Sequence, residues 1–197
     1  MREDDLFIIR FLRARKYDME RAVELTYNFH KFAKDHADRP QHATLEEARP
    51  IIEAGAGGIF PCKSKSGASI ILVKASNLNP DTMTLRMLQY GFVYLWGQLL
   101  EDEATQICGA LMIQDLSGFS LSSASKMRKL QGDQKDDYHF LQNCLPLRFK
   151  GVHLVHEPWY VSFFMSLAKP FMSKKLSERV RSRLFLFLFF NYTSIPV

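Results

Sequence analysis

The sequence predicts an α/β fold: a helical module followed by a mostly parallel sheet with crossover helices. Two observations predict it. Residues 4–35 carry apolar side chains at helical spacing in two successive segments. From residue 69 onward, short runs of β-branched and aliphatic residues alternate with helical segments, the order that yields parallel strands joined by crossovers.

Asp4 or Asp5 starts the first helix, with Leu6, Ile9 and Leu12 near one face and Arg10, Arg13 and Arg15 on others. Asp18 caps the second, where Ala22, Leu25, Phe29, Phe32 and Ala33 form an apolar stripe. Such an αα-hairpin must bury its apolar faces against something larger. Residues 39–50 read as a linker around a short helical turn. The glycine-rich residues 54–60, AGAGGIF, lack the GxxxxGK[ST] spacing and no long helix follows them, so a nucleotide loop is rejected. SIILVK, residues 69–74, is a buried strand by length and β-branching. Asn79-Pro80-Asp81 reads as a helix start with proline at the first helical position. Leu85, Leu88, Phe92, Leu95, Trp96 and Leu99 then continue it to about Leu100. Residues 107–113 form the next strand, closed by Gln114 to Gly118. Residues 123–142 supply a helix that Gly132-Asp133 interrupts.

The chain is organised around residues 143–180. Val152, Leu154 and Val155 make a buried-strand run, and Glu157-Pro158 opens a helix. Tyr160, Phe163, Phe164, Leu167 and Phe171 recur at helical spacing as one aromatic face. Ser173 is the N-cap of a further helix, in which Leu176, Val180 and Leu184 make a second stripe beside Lys175, Arg179 and Arg183. Arg148, Lys150, Lys169, Lys174, Lys175 and Arg179 are opposed in this stretch only by Glu157 and Glu178. A greasy helix with a basic rim suits an element that meets a membrane surface or covers an apolar pocket. The alternative is an amphipathic core helix with solvated lysines.

Sheet on one side and the 157–183 helices on the other would leave a cleft. Leu88, Phe92, Leu95 and Trp96 would come from one helix, with Ala110, Met112, Val152 and Leu154 as the floor. Phe163, Phe164, Leu167 and Phe171 would form the lid. All are apolar, so a plain dry core stays open beside a ligand cavity.

With 197 residues and 47% hydrophobic content, the chain holds one core, or one core plus a small helical appendage. Sixteen phenylalanines suit either a packed interior or a pocket for a hydrophobic ligand. A formal charge of +5 favours acidic partners, anionic lipid or nucleic acid. Cys62, Cys108 and Cys144 have no CxxC spacing, which argues against a zinc site and a disulfide framework. The charged opening and the shortness of the apolar run 184–190 predict no signal peptide and no membrane span, hence a cytosolic protein. HExxH, GxSxG and paired carboxylates are missing. His153 and His156 are expected on opposite sides of a strand, unable to share a metal. No enzymatic activity is expected, and no helix-turn-helix or aromatic–basic sheet signal supports nucleic-acid binding.

Two stretches carry a resemblance. LPLRFKGVHLVHEPWYVSFFMSLAKPFMSKKLSERV, residues 145–180, resembles the pocket and gate segment of the CRAL-TRIO (Sec14-like) lipid-binding family. The similarity is to its tocopherol transfer, retinaldehyde-binding and clavesin branch. Leu145 stands where an aromatic is usual, and His156 where asparagine is usual. Ile8 to Asp18, through to Ala22, is similar to that family's N-terminal "LLRFLRAR-K/D-F/Y-D-x-x-x-A" phrase. The resemblance implies a partial N-terminal helical module over residues 1–45 and a lipid-binding domain over 50–197. Residues 54–60 would then be an edge strand. LFLFLFFNYTSIPV departs from the family's usual ending, so the C-terminus reads as truncated.

The resemblance also favours a ligand cavity over a dry core. Leu88, Phe92, Leu95, Trp96, Ala110, Met112, Val152 and Leu154 would line it, under a gate of Phe163, Phe164, Leu167, Phe171, Leu176 and Val180. The ligand would be a tocopherol, retinoid or phospholipid, and no other cofactor is expected. A basic cleft beside the gate would bind a phosphoinositide headgroup through Arg15, Arg148, Lys150, Lys175 and Arg179. A ligand with ten buried methylenes gains about 8 kcal/mol on leaving water, so a carrier needs a lid that opens at a membrane. The implied function is an intracellular carrier at phosphoinositide-containing membranes of endosomal or Golgi type, peripherally bound. A trafficking adaptor that binds phosphoinositide without transfer is the alternative.

Overall fold

The computed structural model describes residues 4–40, 42–131, 139–161, 163, 166 and 174–182. Helix α1 (Asp5–Ala14) and helix α2 (Met19–Asp35) begin where their caps predict. Asp4 Oδ1 accepts the Phe7 N–H at 3.0 Å, and Asp18 Oδ1 accepts that of Arg21 at 3.2 Å. Their facing sides bury Phe11, Ala14 and Leu25. The Phe11 ring meets Phe7 at 5.2 Å and Phe29 at 5.5 Å, edge to face.

Residues 39–50 are less of a linker than their prolines suggest. Thr44 closes a capping box with Glu47 and starts α3 (Leu45–Glu53), which carries Pro50 inside it. Ala48 and Ile51 are fully buried there, and that burial holds a proline-bearing turn. Strand β1 (Gly57–Ile59) follows, then β2 (Ser69–Lys74).

Pro80 does not start the next helix. The Asn79 side chain accepts the Asp81 N–H at 3.0 Å and makes a local turn instead. Helix α4 (Leu85–Glu101) starts after Thr84, whose hydroxyl accepts the Met87 N–H at 3.2 Å. Ile107 belongs to α5 (Glu103–Cys108) rather than to a strand, because Asp102 caps a short helix there. Strand β3 (Ala110–Asp115) begins only after Gly109. Helix α6 (Leu121–Gln131) opens with the Ser120 Oγ accepting the Ser123 N–H at 3.0 Å, so these serines act at the helix entry. Gly132 and Asp133 lie outside the described residues. A π-helical turn (Phe140–Cys144) leads into β4 (Phe149–Val155), and a short helix α7 (Lys174–Ser177) precedes β5 (Val180–Ser182). The Ser173 cap lies outside the described residues. Val180 is a strand residue, not part of a helical stripe.

The sheet order is β1-β2-β3-β4-β5, with β1 antiparallel and the other four parallel. Strands that follow one another in sequence and in space, with right-handed crossovers, place every crossover on one face. On that face Ile71, Met112, Val152 and Val180 make a row across the four parallel strands. Ala110 pairs with Phe149 and Leu111 with Gly151, so Lys150 is a bulged residue.

The hairpin docks through α5, the end of α4 and the π-turn. Arg10 Nη2 donates to Glu101 at 2.9 Å, Arg13 Nη1 donates to Gln106 at 2.7 Å, and Arg13 also pairs with Glu103. The Phe32 ring lies 5.0 Å from that of Phe140. Removing Arg13's charge-assisted bonds in Arg13→Ala is expected to weaken docking by about 1–2 kcal/mol. The readout is amide exchange that quickens in α1 and stays unchanged in α4.

Candidate functional site

The sheet's crossover face is roofed in two parts. Over β2 and β3, α4 lays Trp96 and Leu99 against Ile71, Val73 and Ala110, with Phe92, Met112 and Phe149 packed around them. Trp96 stacks on Phe92 at 6.4 Å and meets Phe149 edge-on at 5.2 Å. Over β4 and β5, Leu154 packs with Ala75 and Leu116, flanked by Phe119, Val152, Val161 and Val180. Of the eight cleft residues expected from the sequence, Phe92, Trp96, Ala110 and Met112 therefore meet in the first part, and Val152 and Leu154 in the second. Leu88 turns away, into a cluster with Ile51, Ala56 and Met83. Leu95 is buried, with its Cδ1 3.2 Å from where a β-carbon on Gly57 would stand.

The segment from β4 to β5 is the expected gate. Its first turn is fixed: the Val161 N–H donates to the Pro158 carbonyl at 3.0 Å, and the Tyr160 hydroxyl donates to the Phe119 carbonyl. Trp159 is 78% exposed and Phe163 61%, so two large aromatic rings stand on the surface at the segment's entry. Of the other gate residues, Phe164, Leu167 and Phe171 lie outside the described residues. Leu176 is placed by its backbone in α7, and Val180 closes the row beside Val152.

Three of the five expected cations come together at the other end of this segment. Arg148 and Lys150 flank Phe149 at the start of β4, and Arg179 Nη1 donates to the Phe149 carbonyl. The bulge falls at Lys150, which is exposed, while Phe149 packs on the apolar cluster. Among the described residues the Arg148 Nε is buried and meets no acceptor, as is true of the Nε atoms of Arg10 and Arg13. Lys150 is exposed. Lys175 lies in α7, four residues before Arg179, placed by its backbone alone. Arg15 ends α1, and burial followed by the charge of Arg21 holds its guanidinium below the ordinary value, with Glu24 opposing. Its neighbour Arg13 grips α5, whose C-terminus runs through Gly109 to Arg148. A β-carbon on Gly109 would stand 2.3 Å from the Arg148 carbonyl oxygen and 3.2 Å from Lys150 Cε.

His156 is not on the strand. It follows β4 with φ 52°, in the left-handed region that histidine tolerates better than most residues. Its Nδ1 lies 2.9 Å from Asp115 Oδ1. The Ser117 N–H, and then His156, hold the Asp115 carboxyl below the usual carboxylate range. Burial pushes the Cys144 thiol up to about 11, which leaves it inert. Among the described residues no group of three or more His, Cys, Asp or Glu is placed to hold a metal ion. No described helix is long and apolar enough to cross a membrane.

Sequence reasoning missed Leu145, Leu147 and Phe149, which enter the first cluster, and the exposed Trp159. The alternation Leu145-x-Leu147-x-Phe149 was the available signal for the first three.

A sequential parallel sheet with one apolar face, roofed by its own crossover segments, places the chain in the Sec14-like α/β class. The solved structure described as "Crystal structure of Sfh5" superposes with a TM-score of 0.61 at 12% identity, covering 90% of this chain and 66% of that one. At that identity the likeness speaks for the fold alone. Residues 55–183 match the CRAL/TRIO domain, and the chain belongs to the CRAL/TRIO family, a family of lipid-binding proteins. It is 32% identical to Clavesin-1 of Rattus norvegicus over 183 residues, which is 91% of this chain and 51% of the relative. It is 27% identical to the alpha-tocopherol transfer protein-like protein of Homo sapiens over 176 residues, 89% of this chain and 51% of that one. The chain thus spans about half the length of the curated relatives it matches.

Proposed function

We propose that this chain binds a small hydrophobic ligand, a tocopherol, retinoid or phospholipid, against the crossover face of its sheet. It releases or exchanges that ligand at phosphoinositide-containing membranes inside the cell. The reading is carried by the meeting of Arg148, Lys150 and Arg179 at the start of β4, the strand whose Val152 and Leu154 lie in the apolar cluster with Val161 and Val180. Arginine suits phosphate through paired hydrogen bonds, and lysine as a point charge. Trp159 and Phe163, exposed at the opposite end of the seven-residue β4, lie about 20 Å away along the strand. One end of the roofing segment would then grip headgroups while the other enters the interface.

Flotation with vesicles containing phosphatidylinositol bisphosphate tests the headgroup role. Lys150→Ala with Lys175→Ala is expected to weaken binding about 30-fold, at roughly 1 kcal/mol per cation near the surface. Vesicles of equal charge made with phosphatidylserine should show a smaller loss. Equal loss on both, or none, removes the headgroup site.

A second reading, an adaptor that binds the membrane without moving a ligand, is favoured by the dense packing of Trp96, Phe92 and Phe149 over β2 and β3. Native mass spectrometry of the purified chain separates the two. A co-purified lipid supports the carrier and an empty protein supports the adaptor.

A further inference from the structure

The outer face of α2 is used by neither the ligand nor the headgroup reading. The helix turns Ala22, Leu25 and Phe32 inward. At about 3.6 residues per turn, Tyr27 stands in the middle of the opposite face. Met19, Val23 and Tyr27, four residues apart, run along it as an apolar stripe, each 64% exposed. Four exposed charged residues share that face. Glu20 and Glu24 flank its N-terminal half, and Lys31 and Lys34 its C-terminal half.

This arrangement is self-complementary about Tyr27. Glu20 lies seven residues before it and Lys34 seven after, so each stands about 10 Å from it along the axis. A second α2 laid antiparallel on the first, with a two-fold axis at Tyr27, sets each Glu20 against the partner's Lys34. Each Glu24 then faces the partner's Lys31, whose methylene stem covers Val23. A parallel pairing would instead stack carboxylate on carboxylate and ammonium on ammonium. The helix carries three acids and three bases, so it is neutral on a chain of formal charge +5. Two copies therefore meet less repulsion here than their net charge imposes. A lipid surface suits the face less well, because Glu20 and Glu24 would confront anionic headgroups.

We propose that the outer face of α2 is a self-association surface, pairing two copies of this chain antiparallel about Tyr27. The inference stands apart from the proposed function and needs no ligand. One helix face falls in the size class below about 1,200 Å² in total, so the dimer is transient, dissociating at roughly 10–100 µM.

Sedimentation velocity of the full chain from about 5 to about 500 µM, at low salt to limit screening, reads the association. Glu20→Lys and Lys34→Glu are each expected to weaken it about tenfold, because two exposed pairs turn from attraction to repulsion. The double variant Glu20→Lys with Lys34→Glu, and an equimolar mixture of the two single variants, should return to within about threefold of wild type. The two positions are fourteen residues apart in one helix, about 21 Å, so no contact within a chain can supply that rescue. Neither side chain makes an ion pair among the described residues, so the swaps leave the fold intact. Tyr27→Glu, which brings two carboxylates together on the axis, should abolish the dimer. A chain that stays monomeric across the range overturns the proposal. Association that ignores Glu20→Lys and Tyr27→Glu runs through another face and overturns it too, as does a loss in the single variants with no recovery in the double. A monomer whose vesicle flotation falls on Tyr27→Glu assigns the face to lipid and likewise overturns the dimer.

Discussion

Gly109→Ala is expected to cost about 3 kcal/mol or more and to lower the melting temperature by roughly 6–12 °C. The residue sits at φ 84°, ψ −170°, a backbone conformation reserved for glycine, and strain there alone runs to about 1–3 kcal/mol. The added β-carbon would also stand 2.3 Å from the Arg148 carbonyl oxygen, a backbone atom that cannot swing aside. That oxygen accepts the Ala110 N–H at 2.9 Å, and the Gly109 carbonyl accepts the Ser69 N–H at 3.1 Å. One methyl group therefore disturbs three strands where they start. Calorimetry or denaturant unfolding measures it. A loss below about 1 kcal/mol would show that β4 does not press on this turn. The variant should also weaken vesicle binding beyond its stability loss, because Arg148 and Lys150 both lean on this glycine.

Trp96→Ala is expected to cost about 3–5 kcal/mol, the range for removing a buried aromatic ring. Trp96 is 7% exposed, with Phe92 stacked on one side and Phe149 edge-on at another. The cluster around it draws on a helix, three strands and the π-turn, so no single side chain can collapse into the gap. Trp96→Phe should lose much less, since a ring remains between Phe92 and Phe149. Denaturant titration of the pair checks both. A Trp96→Ala loss no larger than that of Trp96→Phe would mean that the indole fills no space of its own.

Local signals carried much of this fold. Asp4 and Asp18 announced their helices because a side-chain oxygen next to free N–H groups works without tertiary help. The apolar spacing of Leu85 to Leu99 and the β-branched run of β2 did so because each buries a whole face. Misreadings fell where tertiary burial outweighed a local preference. Pro50 reads as a breaker, yet Ala48 and Ile51 fit so closely under α4 that a β-carbon on Gly91 would lie 2.7 Å from Ile51 Cγ1. Ile107 reads as strand because its neighbours are apolar, but Asp102 caps a helix over it. Val180 is four residues from Leu176 and so reads as helical. A three-residue strand such as β5 has no period of its own to contradict that. The same limit applied to the site. Arg148, Lys150 and Arg179 are basic in the sequence, but the bulge at Lys150 and the Arg179 bond to the Phe149 carbonyl exist only once the strands lie side by side.

The order of the strands has a consequence for how the chain is made. Every strand from β2 to β5 lands next to the one synthesised just before it, so the sheet can assemble in the direction of translation without waiting for a distant partner. Each crossover is completed before the strand it delivers, and the apolar row lengthens by one residue per strand: Ile71, Met112, Val152, then Val180. Among the described residues β5 is the last strand laid down, and it brings Val180 beside Val152. A nascent chain halted before residue 180 would already hold β1 to β4 and the residues that pack Leu154, Ala75 and Leu116 among them, and would lack only Val180 from that cluster.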